Sequence, residues 1–207
     1  MTLVDGSVRD LLTAFASSRP TPGGGSASAL ASAVGASLLL MVAALPKTRS
    51  GSEADRSALA ASAVDLGGIC QQLSGAIDAD TAAYDQVVAA YKLPKGSPGE
   101  QAARTAGIQR ALHAATDVPL GVVRLSARAL DHARTIAAHG HRAAASDVGV
   151  AVALLRAGAR GARLNIEINV ESIADTAYAD TVRTETVRVS DAAARTADEA
   201  DALLRDS

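Results

Sequence analysis

The chain has 207 residues, 48% of them apolar but only 2% aromatic, and its formal net charge is −2. That length suits one domain spanning residues 1–207, and the weakly acidic balance argues against nucleic acid as a partner. One cysteine, Cys70, excludes an internal disulfide or a cysteine-based zinc cluster and fits a reducing compartment; with no signal-peptide core at the start, a cytoplasmic protein is expected.

Alanine is the commonest residue, and it is both the best helix former and a small core residue. The expected fold is all-α: an up-and-down bundle of about six helices, with an Ala-rich core and one central buried helix. A first helix, capped near Asp5 or Ser7, carries Val8, Leu11, Leu12 and Phe15 on one face and stops before Pro20. From Pro20 to Leu45 there is no charged residue. Three glycines, Gly23, Gly24 and Gly25, precede Ser26, a suitable N-cap. Leu30, Val34, Leu38, Met41, Val42 and Leu45 then recur at helical spacing among small residues. A helix apolar or small all round is a buried one. Its length approaches the ~20 residues of a membrane span, but Ala, Ser and Gly dominate it and no membrane partner is expected. The glycines lack the Lys-Ser/Thr or the GxGxxG spacing of a nucleotide loop. A structural turn into a core helix and an anion-friendly loop of free backbone N–H groups are both compatible with them.

A third helix opens at Ser52 with Glu53 or Asp55 and runs to about Leu93, with Gly67-Gly68 as a soft point. Ile77, Tyr84, Val87 and Tyr91 form an apolar stripe in it, and Asp80 falls within that stripe. Either Asp80 lies at a solvated edge, or it is buried and becomes a general-base candidate through a raised pKa. Leu93-Pro94-Lys95-Gly96 breaks the helix. Ser97 to Glu100 reads as a capping box with Pro98 at the first helical position, and Pro119 should kink the fourth helix that follows. Ser146 or Asp147 should cap the fifth. Asn165 and Asn169 share one face of it amid Leu164, Ile166, Ile168 and Val170, as a polar pair able to bridge helices. LNIEINV could pass for a strand, but nothing else in the chain would pair with it. A charged outer helix from about Asp175 to Arg205 ends the chain.

His113, His132, His139 and His141 make no HExxH or other metal pattern, no metal is expected, and no GxSxG elbow marks a nucleophile. Residue types alone therefore lead to a helical bundle with unusual polar groups at its mouth.

Six segments go further: PTPGGGSASALASAVGASL at 20–38, DxxAY at 80–84, AAYKLPKGSPGEQAARTAGIQRAL at 89–112, ATDVPL at 115–120, SDVGVAVALL at 146–155 and GARLNIEIN at 161–169. Together they resemble the cyclodeaminase/cyclohydrolase family, which includes methenyltetrahydrofolate cyclohydrolases and the C-terminal part of formiminotransferase-cyclodeaminase. Two positions depart from the family: Tyr84 stands where Phe is common, and His141 where Asn is. The resemblance implies an all-α homodimer acting on a small-molecule folate without metal or redox cofactor. It implies hydrolysis of 5,10-methenyltetrahydrofolate to 10-formyltetrahydrofolate; the alternatives are release of ammonia from 5-formiminotetrahydrofolate, or a non-catalytic folate-binding or scaffold protein. The LPK-to-VPL region, and the lack of a formiminotransferase segment in these residues, favour the first. On the same basis Asp80 and Asp147 are the candidate carboxylates and Lys95 the candidate proton donor. Gly23, Gly24, Gly25, Ser26, Tyr84, His141, Asn165 and Asn169 are the candidate substrate-binding residues. A glutamate tail would want a cation such as Lys47, Arg49 or Arg104, which the sequence does not rank.

Overall fold

A computed structural model describes residues 2–205, and every regular element in it is helical: α1 Val8–Phe15, α2 Gly24–Ala43, α3 Glu53–Tyr91, α4 Pro98–His139, α5 Ala145–Val170 and α6 Thr176–Arg205, with one 3₁₀ turn at Arg142–Ala144. The starts of α1, α3 and α4 follow from their caps. Ser7, Ser52 and Ser97 each accept a hydrogen bond from a backbone N–H three residues on, and Asp10 and Glu100 complete capping boxes. LNIEINV is the last part of α5, helical as expected.

α2 to α5 run alternately up and down. α6 lies parallel to α4, tied to it by Tyr178–Asp117, Arg124–Glu185 and Arg134–Glu199. α2 is central, packed against both α3 and α5. It is long and apolar enough to cross a membrane by length and composition, yet more than half of it is buried inside the bundle. The core is built from Leu39, Leu66, Ile69, Leu73, Leu130 and Leu155, each fully buried, with alanines filling the seams between them. Each such large side chain contributes roughly 1.5–3 kcal/mol by leaving water. Small residues let α2 and α5 approach closely. A Cβ on Gly158 would lie 2.7 Å from the Ser28 carbonyl and collide with the Ser32 hydroxyl. Ser32 in turn meets Ser126 of α4 at 2.8 Å, a buried hydroxyl pair that satisfies both groups.

Two sequence expectations are corrected. Ser26 is not the N-cap of α2: Gly23 holds that position and Ser26 lies inside the first turn, because its hydroxyl is taken by α3. Ser146 and Asp147 do not cap α5, since the chain is already turning from Arg142 and Ala144 is the cap residue. α3 is one helix across Gly67-Gly68, as expected. α4 likewise continues through Pro119, for a reason that lies in the site.

Candidate active site

Where α2 begins, it meets the last third of α3, the middle of α4 and the end of α5. A cleft of about 200 Å³ opens there, lined by Pro20, Thr21, Gly23, Gly24, Gly25, Asp80, Tyr84, Val87, Leu112, Ala115, Asn165 and Asn169. No Lys, Arg or His is among these residues.

Asp80 is the one carboxylate. Its stripe position on α3 turns it inward over the first turn of α2, where the Ser26 hydroxyl donates to its Oδ2 at 3.0 Å and the Ser26 backbone N–H also points at it. A Cβ on Gly25 would fall on the carboxylate itself. Only glycine fits there, whereas a Cβ on Gly23 or Gly24 would make ordinary contacts at 3.6 Å. Burial pushes the Asp80 pKa up, and the two Ser26 contacts oppose that shift without cancelling it. Ser26 has a single hydroxyl proton and two acceptors, the Ile77 carbonyl at 2.8 Å and Asp80, while Thr81 Oγ1 lies 3.2 Å away. It can donate to Asp80 when that group is ionised and to Ile77 when it is protonated. The arrangement therefore accepts both states of the carboxyl, as a group that takes and returns a proton requires.

The two asparagines come from α5. Asn165 Nδ2 donates to the Gly161 carbonyl one turn back, at 2.8 Å. Asn169 Nδ2 donates across the bundle to the Ala115 carbonyl, also at 2.8 Å. Ala115 is four residues before Pro119, whose missing N–H would have bonded that same carbonyl. The Asn169 amide replaces it, and α4 stays helical through its proline. Each amide nitrogen spends one of its two N–H donors on a carbonyl, and both Oδ1 atoms remain as acceptors beside the cleft. Asp80, Asn165 and Asn169 thus bring a carboxylate and two amide oxygens to the cleft as acceptors, which suit a cation or a row of N–H donors.

Of the candidates read from sequence, Gly23, Gly24, Gly25, Ser26, Asp80, Tyr84, Asn165 and Asn169 come together here, Ser26 by holding Asp80 and Tyr84 at the half-exposed rim. Three do not. Asp147 is in the first turn of α5, ~27 Å of helix away from Asn165. His141 is beside it, where Thr48 bridges Gly140 at the opposite end of α2. Lys95 is exposed in the connection after α3, beyond the end of that helix. The cause is common to all three: long straight helices place both ends of a motif-bearing element far apart. Thr81, Leu112 and Ala115 were not singled out from sequence. The Pro119-minus-four register is the one signal that could have pointed to Ala115.

Three of the four histidines find partners outside the cleft. His132 Nε2 and His139 Nδ1 meet Asp65 and Asp55 at 2.8 Å, and His113 stacks on Tyr178. The Ser50 N–H first, then the His139 ring and the Ser50 hydroxyl, hold the Asp55 carboxyl well below the usual carboxylate range. Among the described residues no group of three or more His, Cys, Asp or Glu could hold a metal ion.

A profile of the formiminotransferase-cyclodeaminase family matches residues 7–188. The chain is similar to the methenyltetrahydrofolate cyclohydrolase of Methylorubrum extorquens, 41% identical over 177 residues and 84% of each chain. It is also similar to the formimidoyltransferase-cyclodeaminase of Rattus norvegicus, 30% identical over 181 residues, which are 87% of this chain and 34% of that one. The chain thus spans about a third of that larger relative. Its fold matches the crystal structure of formiminotetrahydrofolate cyclodeaminase from Thermotoga maritima with a TM-score of 0.86, at 24% identity, over 97% of this chain and 96% of that one.

Proposed function

The chain belongs to the formiminotransferase-cyclodeaminase family, and from that premise we propose that it is a methenyltetrahydrofolate cyclohydrolase whose active site is the cleft at the mouth of α2. The observation that carries this reading is a raised-pKa carboxylate and two amide oxygens facing a cleft lined by no cation. The methenyl bridge of the substrate is an amidinium-like cation, and it matches that set of acceptors.

Asp80 takes a proton from water as the water oxygen bonds to the bridge carbon, which converts the cation into a neutral carbinolamine. Asp80 then returns that proton to N5 as the C–N5 bond breaks. The remaining hydroxyl proton leaves to solvent as the formyl C=O forms. One cation and one water become 10-formyltetrahydrofolate and one proton, with no call on a metal or a redox cofactor. The Asn165 and Asn169 oxygens orient and stabilise the cationic ring system, and Tyr84 covers it from the rim.

The site is shallow for a whole folate, since ligand pockets commonly enclose ~300–1,000 Å³, so the remainder of the substrate lies outside it. We assign the protein a homodimeric state, as the family resemblance implies. Its supporting feature is an uncharged face formed by Val8 and Leu12 of α1 and Val34 and Met41 of α2, all exposed, around a groove of about 460 Å³.

The test is the loss of near-UV absorbance of 5,10-methenyltetrahydrofolate above its spontaneous rate. Catalysed loss is expected. A second reading rests on the formimidoyltransferase-cyclodeaminase relatives: no acceleration there, together with ammonia released from 5-formiminotetrahydrofolate, would replace hydrolysis by cyclodeamination in the same cleft.

A further inference from the structure

Beyond the cleft, two side-chain stripes continue from it along the surface. On α3, Asp80, Tyr84, Val87 and Tyr91 are spaced by four, three and four residues and therefore share one face. On the antiparallel α4, Ala115, Leu112, Ile108 and Arg104 share the facing one, with Leu112 and Ile108 buried. The two stripes bound a shallow apolar track. Tyr84 and Tyr91 are about half exposed along it, and Arg104 lies at its far end against Tyr91.

Arg104 is held in place. Its Nε and Nη2 donate to the Tyr91 carbonyl at 3.3 and 3.1 Å, and its guanidinium carbon lies 5.5 Å from the centre of the Tyr91 ring. These contacts use two of its five N–H donors and leave the rest for an anion. Lys92 and Lys95 are exposed at the same end and add positive charge. From Asp80 to Tyr91 is eleven residues of helix, roughly 16 Å.

We propose that this track binds the p-aminobenzoylglutamate arm of the substrate, with its benzoyl ring on Tyr84 and its glutamate carboxylate on Arg104. The proposal rests on the folate reading above. The arm extends roughly 12 Å from the pterin, which fits the path once the side chains at each end are allowed for. Lys47 and Arg49, the other cations considered for this role, sit at the opposite end of α2, where the Arg49 N–H donates to the His139 carbonyl. Lys95 passes in this fold from a proton donor to a neighbour of the tail.

Capping of the α3 C-terminus is the alternative role for Arg104, and substrate comparison separates the two. Steady-state kinetics are measured on 5,10-methenyltetrahydrofolate and on 5,10-methenyltetrahydropteroate, which lacks the glutamate. The native protein should show the lower KM for the folate. Arg104→Gln should raise that KM about tenfold, leave kcat unchanged and leave the pteroate KM where it was; Arg104→Lys should recover part of the loss. A native protein with equal KM for the two compounds overturns the proposal even if Arg104→Gln fails to fold, and so does a variant that shifts both KM values alike or neither. Turnover of neither compound by the native protein removes the cyclohydrolase reading and the tail site proposed for its substrate, an outcome distinct from an active enzyme indifferent to glutamate.

Discussion

At Asp80 two opposing effects meet. Withdrawal from water favours the neutral acid, and the hydroxyl and N–H of Ser26 favour the anion; burial is the larger. The folded chain therefore holds this proton more tightly than the unfolded chain does, and stability attributable to Asp80 falls as pH rises from the ordinary carboxylate value through the raised one. Asp80→Asn keeps an acceptor for the Ser26 N–H and removes the ionisation. It should raise the melting temperature at pH 7, with the gain vanishing towards pH 4, while turnover drops by about 10²–10⁴. Thermal melts across pH alongside kcat check both halves. A variant less stable at pH 7, or fully active, would rule out the role given to this carboxylate. Asp55 has the opposite sign: its stabilisation is complete above the ordinary carboxylate range and is lost on acidification through its lowered pKa.

Among the elements, α4 shows most clearly how one helix completes another. A proline in mid-helix removes a backbone hydrogen bond, yet α4 runs from Pro98 to His139, and the carbonyl that Pro119 leaves unpaired is bonded by Asn169 of α5. A defect in one helix thus becomes the anchor that holds an asparagine at the cleft. Pro119→Ala supplies an N–H for Ala115 and competes with the Asn169 amide. The helix should be retained by circular dichroism and the protein be no less stable. The rate should fall by roughly tenfold, the scale of one charge-assisted contact of ~1.5 kcal/mol. Unchanged kinetics would mean that Asn169 is held by something else. The hydrophobic period located α2, α3 and α5 in the sequence, and even the Asp80 position within its stripe was legible. Helix starts were less so: α2 and α5 begin earlier than their Ser and Asp residues suggest, because those side chains are not the ones that receive the first free N–H groups.

For the whole molecule, the exposed apolar face of α1 and α2 is the feature that a monomer leaves unexplained, since α1 buries none of its residues. Val34→Asp places a charge in the middle of that face. In sedimentation experiments it should convert a native dimer to a monomer of unchanged helicity; native protein that sediments as a monomer, or a variant that stays dimeric, would reject the assignment.

Helix content, the buried character of α2 and the family came from local information: periodicity, caps and short motifs, whose physical causes act over a few residues of chain. Which motif residues share a site was decided only in three dimensions. Asp80 meets Ser26, Asn169 meets Ala115 and Arg104 meets Tyr91 because antiparallel helices bring distant residues to one level of the bundle. The same rigid geometry carries Asp147 and His141 to its opposite end. A helix rising ~1.5 Å per residue keeps neighbours in sequence on one face but turns twenty residues into ~30 Å of separation. The residues that meet across the bundle are therefore set by how the helices pack against one another.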